Sequence, residues 1–160
     1  MPELESLLER LVSHDVEFVI VGGFAALAHG VSLMTEDIDI CCPFAEGNLR
    51  KLEQAIADLH PVHRMTPNRS PLQLTPDLLP TLKNRYLRTD LGVPDCLDNV
   101  KGLGDYPDVK AASTPLELPI GTCLLLGIEG LIKAKKAMGR PRDKQTVLQL
   151  KAIQEQTKLI

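Results

Sequence analysis

Leu4, Leu7, Leu8, Leu11 and Val12 fall at helical spacing, which predicts an amphipathic helix over residues 3–13. The run Glu17-Phe-Val-Ile-Val21 reads as a short buried strand that ends at Gly22-Gly23. Phe24 to His29 reads as a short helix, and Asp37 to Cys42 alternates with period two as a second strand. Leu49, Leu52, Ile56 and Leu59 line one face of a helix over 46–59. Prolines at 61, 67, 71, 76 and 80 make the next stretch a loop with at most short structure. Residues 85–89 and 93–97 read as strands paired around Gly92, and 102–107 as a turn. Residues 116–126 form a strand or two, broken near Pro119-Ile-Gly121. Helices at 127–138 and 141–157 follow, with Gly139 suited to stop the first and Pro141 to start the second. No internal repeat or linker divides the chain, so the expectation is a single α+β domain over 1–160, with a small mixed sheet flanked by helices.

Composition narrows the picture little. The 160 residues are 44% hydrophobic and 24% charged, enough for one real core. With 18 basic and 21 acidic residues the net charge is -3, which argues against a protein that coats nucleic acid. A local basic patch stays open. No apolar run reaches the length of a membrane span, and the N-terminus is acidic and amphipathic, so the expectation is a cytoplasmic protein without membrane partners. Cys41, Cys42, Cys96 and Cys123 lack CxxC spacing and read as reduced core thiols.

The candidate chemistry lies in the second strand. Asp37 and Asp39 are two residues apart, so both carboxylates point to one face while Ile38 and Ile40 point to the other. Two such carboxylates repel unless a cation lies between them. Magnesium takes oxygen ligands, commonly one or two carboxylates together with substrate phosphates. A solvated strand edge would show the same two acids, so the pair by itself is a weak signal. Upstream, Gly22-Gly23 can open a helix whose amides face an anion, and Ser32 and Thr35 precede the acidic strand.

Val21-Gly-Gly-Phe-Ala-Ala-Leu-Ala-His-Gly30, followed by Thr35-Glu-Asp-Ile-Asp-Ile40, resembles the signature of the polymerase-beta-type nucleotidyltransferase superfamily. The likeness is greatest to small bacterial proteins similar to the nucleotidyltransferases of abortive-infection toxin systems. In that superfamily a glycine pair follows the first strand, T-x-D-x-D forms the second, and a third acid comes from a later strand. Leu91-Gly-Val-Pro-Asp-Cys-Leu97 resembles that later strand and puts Asp95 at the third acid. Asp90 and Asp98 are its competitors, Asp98 being out of phase and reading better as a turn residue. Leu33 stands where many members carry an arginine. Leu131-Ile-Lys-Ala-Lys-Lys-Ala-Met-Gly-Arg-Pro-Arg-Asp143 resembles the L-I-x-x-K…G-R-P-K-D element.

In the helix that carries the start of that element, Ile128, Leu131, Ile132 and Lys135 share one stripe. An inward lysine calls for a phosphate or carboxylate partner, unless its stem snorkels to water. Asp143 reads as orienting a basic neighbour or capping the last helix. His29, His60 and His63 read as structural, and Tyr86 and Tyr106 are too few for a stacking platform.

The resemblance implies an enzyme in which an acceptor hydroxyl attacks the α-phosphorus of a nucleoside triphosphate such as ATP. It implies Mg2+ or Mn2+ held by Asp37, Asp39 and Asp95, with Asp95 also taking the acceptor's proton. It implies nucleotide contacts from Gly22, Gly23, Ser32, Thr35, Lys135 and Arg140. The acceptor is an RNA end, a protein hydroxyl or a small molecule, and no residue selects among them. The alternative is a non-catalytic antitoxin-like or nucleotide-binding module with the same fold. No pattern sets the oligomeric state.

Overall fold

The computed structural model describes residues 3–63 and 84–158. The chain opens with α1 (Leu4–Ser13), β1 (Val19–Val21), α2 (Gly22–Ala28), β2 (Asp37–Cys41) and α3 (Glu46–Ile56). A short 3-10 turn (Ala57–Leu59) leads to β3 (Val62–His63), and β4 (Asn84–Arg88) and β5 (Val93–Leu97) follow. Then come β6 (Asn99–Val100), β7 (Gly104–Asp105), α4 (Tyr106–Ala111), β8 (Ser113–Leu118) and β9 (Gly121–Leu126). The last elements are α5 (Ile128–Met138) and α6 (Pro141–Lys158). Among the described residues seven strands form one sheet in the order β3-β4-β5-β2-β1-β9-β8, with β6 and β7 as a separate hairpin. The sheet is mixed: β1 runs parallel to β9 and β2 parallel to β5, while β1–β2, β3–β4, β4–β5 and β8–β9 are antiparallel.

α1, α3 and β2 follow the hydrophobic pattern because one face of each is dry. Leu7, Leu8 and Leu11 of α1 and Leu49, Leu52 and Ile56 of α3 are almost fully buried, and the two helices pack together. Ile38 and Ile40 are fully buried on one side of the sheet, and Asp37 and Asp39 are half-buried on the other. Cys96 and Arg85 are register partners on the side of Ile40, and Glu53 of α3 acts electrostatically on Arg85. The α1–α3 layer therefore covers the side away from the carboxylates. All four cysteines are free and buried, and burial pushes the Cys41 and Cys96 thiols up to about 12. They are inert core thiols, as their spacing predicts.

Three details differ from the sequence pattern. Residues 102–107 are more than a turn: they carry the β6–β7 hairpin into α4, with Pro107 in its first turn. Strands of two residues are too short to show a period. The proline-rich stretch begins with β3, and the rest of it lies outside the described residues. Helix α2 starts at Gly22, earlier than the apolar residues alone suggest. Elsewhere the expected turns are present. Thr89 and Gly92 exchange backbone hydrogen bonds of 2.8 and 3.2 Å around the β4–β5 turn. Gly139 ends α5 in the left-handed region at φ 68°, its amide donating to the Lys135 carbonyl at 3.1 Å.

Candidate active site

Strand register sets the site. Val21 lies opposite Asp39, Asp39 opposite Asp95, and Asp95 opposite Tyr86. Directly paired residues share a face of a sheet, so these four form a straight row across β1, β2, β5 and β4. Asp37 stands two residues before Asp39 on the same face. Asp95 is 7% exposed. Burial, then the charges of Asp95 and Asp37, raise the Asp39 carboxyl to about 6, and a hydrogen bond between the Asp39 and Asp95 carboxyls adds to the rise. Lys135 opposes that rise.

The first glycine of the pair has a steric reason. At φ 69°, Gly22 has a conformation that L side chains rarely adopt, and a Cβ there would lie 2.2 Å from Asp39 Oδ2. Only glycine lets the β1–α2 turn pass over the carboxylate. Gly23 differs: a Cβ there would meet Thr35 Oγ1 at an ordinary 3.7 Å.

Asp39 opens onto a cleft of about 140 Å³ between the sheet, the β6–β7 hairpin and α5. Gly22, Lys135 and Arg140 also line it. Lys135 is on the inner face of α5, as its stripe predicts, its side chain only 15% exposed. It has a carboxylate partner, with Nζ 3.6 Å from Asp143 Oδ1. Arg140 binds the same acid more closely: Nε donates to Oδ2 at 2.6 Å and Nη2 to Oδ1 at 3.2 Å. The Arg140 amide donates to Oδ2 at 3.1 Å. The Arg140 contact holds the Asp143 carboxyl below its usual range although the side chain is 1% exposed. Asp143 thus holds two cations at the mouth of the cleft.

The other predicted positions make contacts outside the cleft. The Thr35 hydroxyl donates to the Asp37 carbonyl at 3.0 Å and accepts the Asp37 amide at 3.3 Å, which fixes the entry into β2. Ser32 is exposed, and its amide donates to Gln149 Oε1 at 2.9 Å. Ser32, Thr35 and Gly23 are not among the residues that line the cleft. The competitors of Asp95 stand apart from the row. Asp90 pairs with His60 Nδ1 at 2.6 Å, and Asp98 accepts from Asn99 Nδ2 at 2.7 Å. His29 Nε2 is 2.8 Å from the Leu126 carbonyl oxygen, tying α2 to β9. Sequence reasoning missed Asn99 and Lys101, which line the cleft from the β6–β7 hairpin. Nothing in their spacing points there, because a tertiary contact brings the hairpin to α5.

Among the described residues no group of three or more His, Cys, Asp or Glu side chains converges as a ready metal cage. No described helix is long and apolar enough to cross a membrane.

No family profile matches the sequence, and no curated protein is similar to it in sequence. Solved structures are similar to it. A candidate nucleotidyltransferase from Thermotoga maritima matches with a TM-score of 0.57 and 18% identity, over 91% of this chain and 88% of the other. An antigenic nucleotidyltransferase-like protein from Paracoccidioides brasiliensis matches at 0.56 and 18% identity, over 92% and 75%. ANT(2")-Ia, solved in complex with adenylyl-2"-tobramycin, matches at 0.50 and 10% identity, over 93% and 95%. The order of the elements, the mixed sheet and these three likenesses agree: this chain has the nucleotidyltransferase fold.

Proposed function

We propose that the protein is a metal-dependent nucleotidyltransferase that moves a nucleoside monophosphate from a nucleoside triphosphate to an acceptor hydroxyl. The observation that carries this reading is the side-by-side pair Asp39 and Asp95, in register on neighbouring strands and with the Asp39 carboxyl raised to about 6. Carboxylates this crowded are relieved by a shared proton or by a bound cation. Asp37, Asp39 and Asp95 offer oxygen donors only, which suits magnesium or manganese shared with substrate phosphates. Bound there by Asp37, Asp39 and Asp95, the ion would polarise the phosphoryl oxygens and ease deprotonation of the acceptor.

The chain's own residues supply the rest. Lys135 and Arg140, held by Asp143, face the triphosphate as a point charge and a planar fork. Gly22 leaves room for a phosphate to approach the backbone beside Asp39, with Gly23 next to it. Ser32 and Thr35 support the site indirectly, through the loop that leads into β2. The acceptor oxygen forms a bond to the α-phosphorus while the bond from that phosphorus to the bridging oxygen breaks. Pyrophosphate leaves with the electron pair, and Asp95 takes the acceptor's proton.

The test is incubation with each labelled triphosphate, magnesium and candidate acceptors, comparing wild type with Asp95→Asn and Asp98→Asn. Transfer should vanish in Asp95→Asn and persist in Asp98→Asn, with nucleotide still bound by both. Binding without transfer in the wild type would make the protein a nucleotide-binding module instead.

A further inference from the structure

Between α5 and α6 lies a second groove, and we infer that it docks an acidic amphipathic helix of another protein. The charge of the chain is divided unevenly. Of the 18 basic residues eight fall in residues 128–158, against three of the 21 acidic ones. A small net negative charge therefore conceals a cationic hairpin on an acidic body. Part of that positive charge is neutralised within the fold. Lys135 and Arg140 share Asp143, and Lys158 pairs with Glu155. Among the described residues Lys136 and Lys144, both exposed, have no acid partner. Like charges left unpaired on one hairpin repel, and an acidic partner relieves them.

The groove measures about 330 Å³ and is lined by Lys135, Lys136, Gly139, Lys144, Val147 and Leu148. Lys135 also borders the cleft beside Asp39, and the other five do not. Val147 is buried and Leu148 is 64% exposed. Leu148 lies off the buried stripe of Asp143, Val147 and Leu150, and Lys144 stands four residues before it on the same side of α6. Gly139, which ends α5, contributes no side chain to fill the space. An occupant therefore needs an apolar side chain on Leu148 and Val147 and carboxylates for Lys136 and Lys144. One helix offers both, with apolar residues at i, i+3 or i+4 and i+7 and acids beside them. It would lie on α5 and α6 as a third packed helix. A polynucleotide is disfavoured, because no described aromatic or arginine side chain lines the groove to stack a base. A second copy of this chain is disfavoured as well. Its α1 already buries Leu7, Leu8 and Leu11 in its own core, and its α3 buries Leu49, Leu52 and Ile56.

The test selects binders on the immobilised full chain from a displayed library of random peptides, each roughly four helical turns long. Enriched peptides are then titrated by fluorescence anisotropy, with a labelled single-stranded RNA as a second arm. The enriched peptides should be acidic, with apolar residues at helical spacing. Their affinity should fall about tenfold in Leu148→Gln, the loss of one apolar anchor at a docking surface. Lys136→Glu together with Lys144→Glu should weaken binding at least as much and remove most of its salt dependence. Lys133→Glu makes the same charge change on α5 outside the groove and should alter affinity little. All these positions are exposed, so each variant should melt as wild type. A selection that enriches no peptide, or enriches basic or uncharged ones, overturns the inference. So does an acidic peptide that Leu148→Gln leaves unchanged, or one that Lys133→Glu weakens as much as the paired change does. RNA binding that loses more than peptide binding in the paired variant would make the hairpin a polynucleotide surface and overturn it too.

Discussion

Asp39 and Asp95 stand opposite each other on parallel strands, their carboxyls joined by a hydrogen bond, and burial together with the charges of Asp95 and Asp37 raises the Asp39 carboxyl to about 6. Parallel pairing puts two acids of distant sequence on one face, one strand spacing apart. Burial removes the water that would screen them. The arrangement works against folding when both acids are ionised, and a cation bound there under the proposed function would relieve it.

Metal binding should need that concentration of charge. Calorimetry should show manganese binding to the wild type and at least tenfold weaker binding to Asp39→Asn, because one carboxylate of the strand pair is lost. Equal affinity in the two proteins would dismiss the metal site.

The same crowding has a pH signature in metal-free protein. A carboxyl raised from the ordinary 3.8 to about 6 opposes folding when ionised, and that opposition fades as pH falls from about 6 towards 4. In chelator, Asp39→Asn should therefore melt higher than wild type at pH 7.5, and the advantage should shrink as pH falls below 6 and vanish below about pH 4. The ceiling is about 3 kcal/mol at roughly 1.4 per unit, and about 1–2 is expected after solvent screening at a half-buried group. A variant that melts lower than wild type at pH 7.5 would mean that the Asp39 carboxylate stabilises the fold.

Gly22 should tolerate no side chain. Gly22→Ala meets the left-handed backbone, at about 1–2 kcal/mol, and the Asp39 carboxylate at 2.2 Å. Gly23→Ala meets only ordinary contacts. Melts of both variants would check this, with a drop expected only at Gly22.

Lys135 and Asp143 separate binding from stability. Lys135→Met leaves Asp143 paired with Arg140, so the fold should keep its melting temperature. Nucleotide affinity should fall by about 1.5–3 kcal/mol, the range for hydrogen bonds to charged groups. Asp143→Ala removes the partner of both cations and three hydrogen bonds, and should destabilise by about 2–4 kcal/mol. If instead Lys135→Met melts far lower, the lysine is a structural residue of the core.

The sequence alone determined most of the elements, because α1, β2 and α3 each carry a period that one dry face imposes and β1 is a short apolar run buried throughout. It also determined that Asp37 and Asp39 share a face, since alternation is local geometry. The opposite facing of Asp95 and Cys96, and Lys135 on the inner stripe of α5, were legible for the same reason. Tertiary structure decided what stands beside what. Whether Asp95 or Asp98 meets Asp39 depends on the β2–β5 register, which links residues more than fifty apart and leaves no local period. The same holds for Tyr86 beside Asp95, for the β6–β7 hairpin against α5, and for Asp143 reaching back to Lys135. Gly22 shows the division most plainly. A glycine pair after a strand is visible in the sequence, but only the packed turn reveals that the Asp39 carboxylate occupies the space a side chain would need.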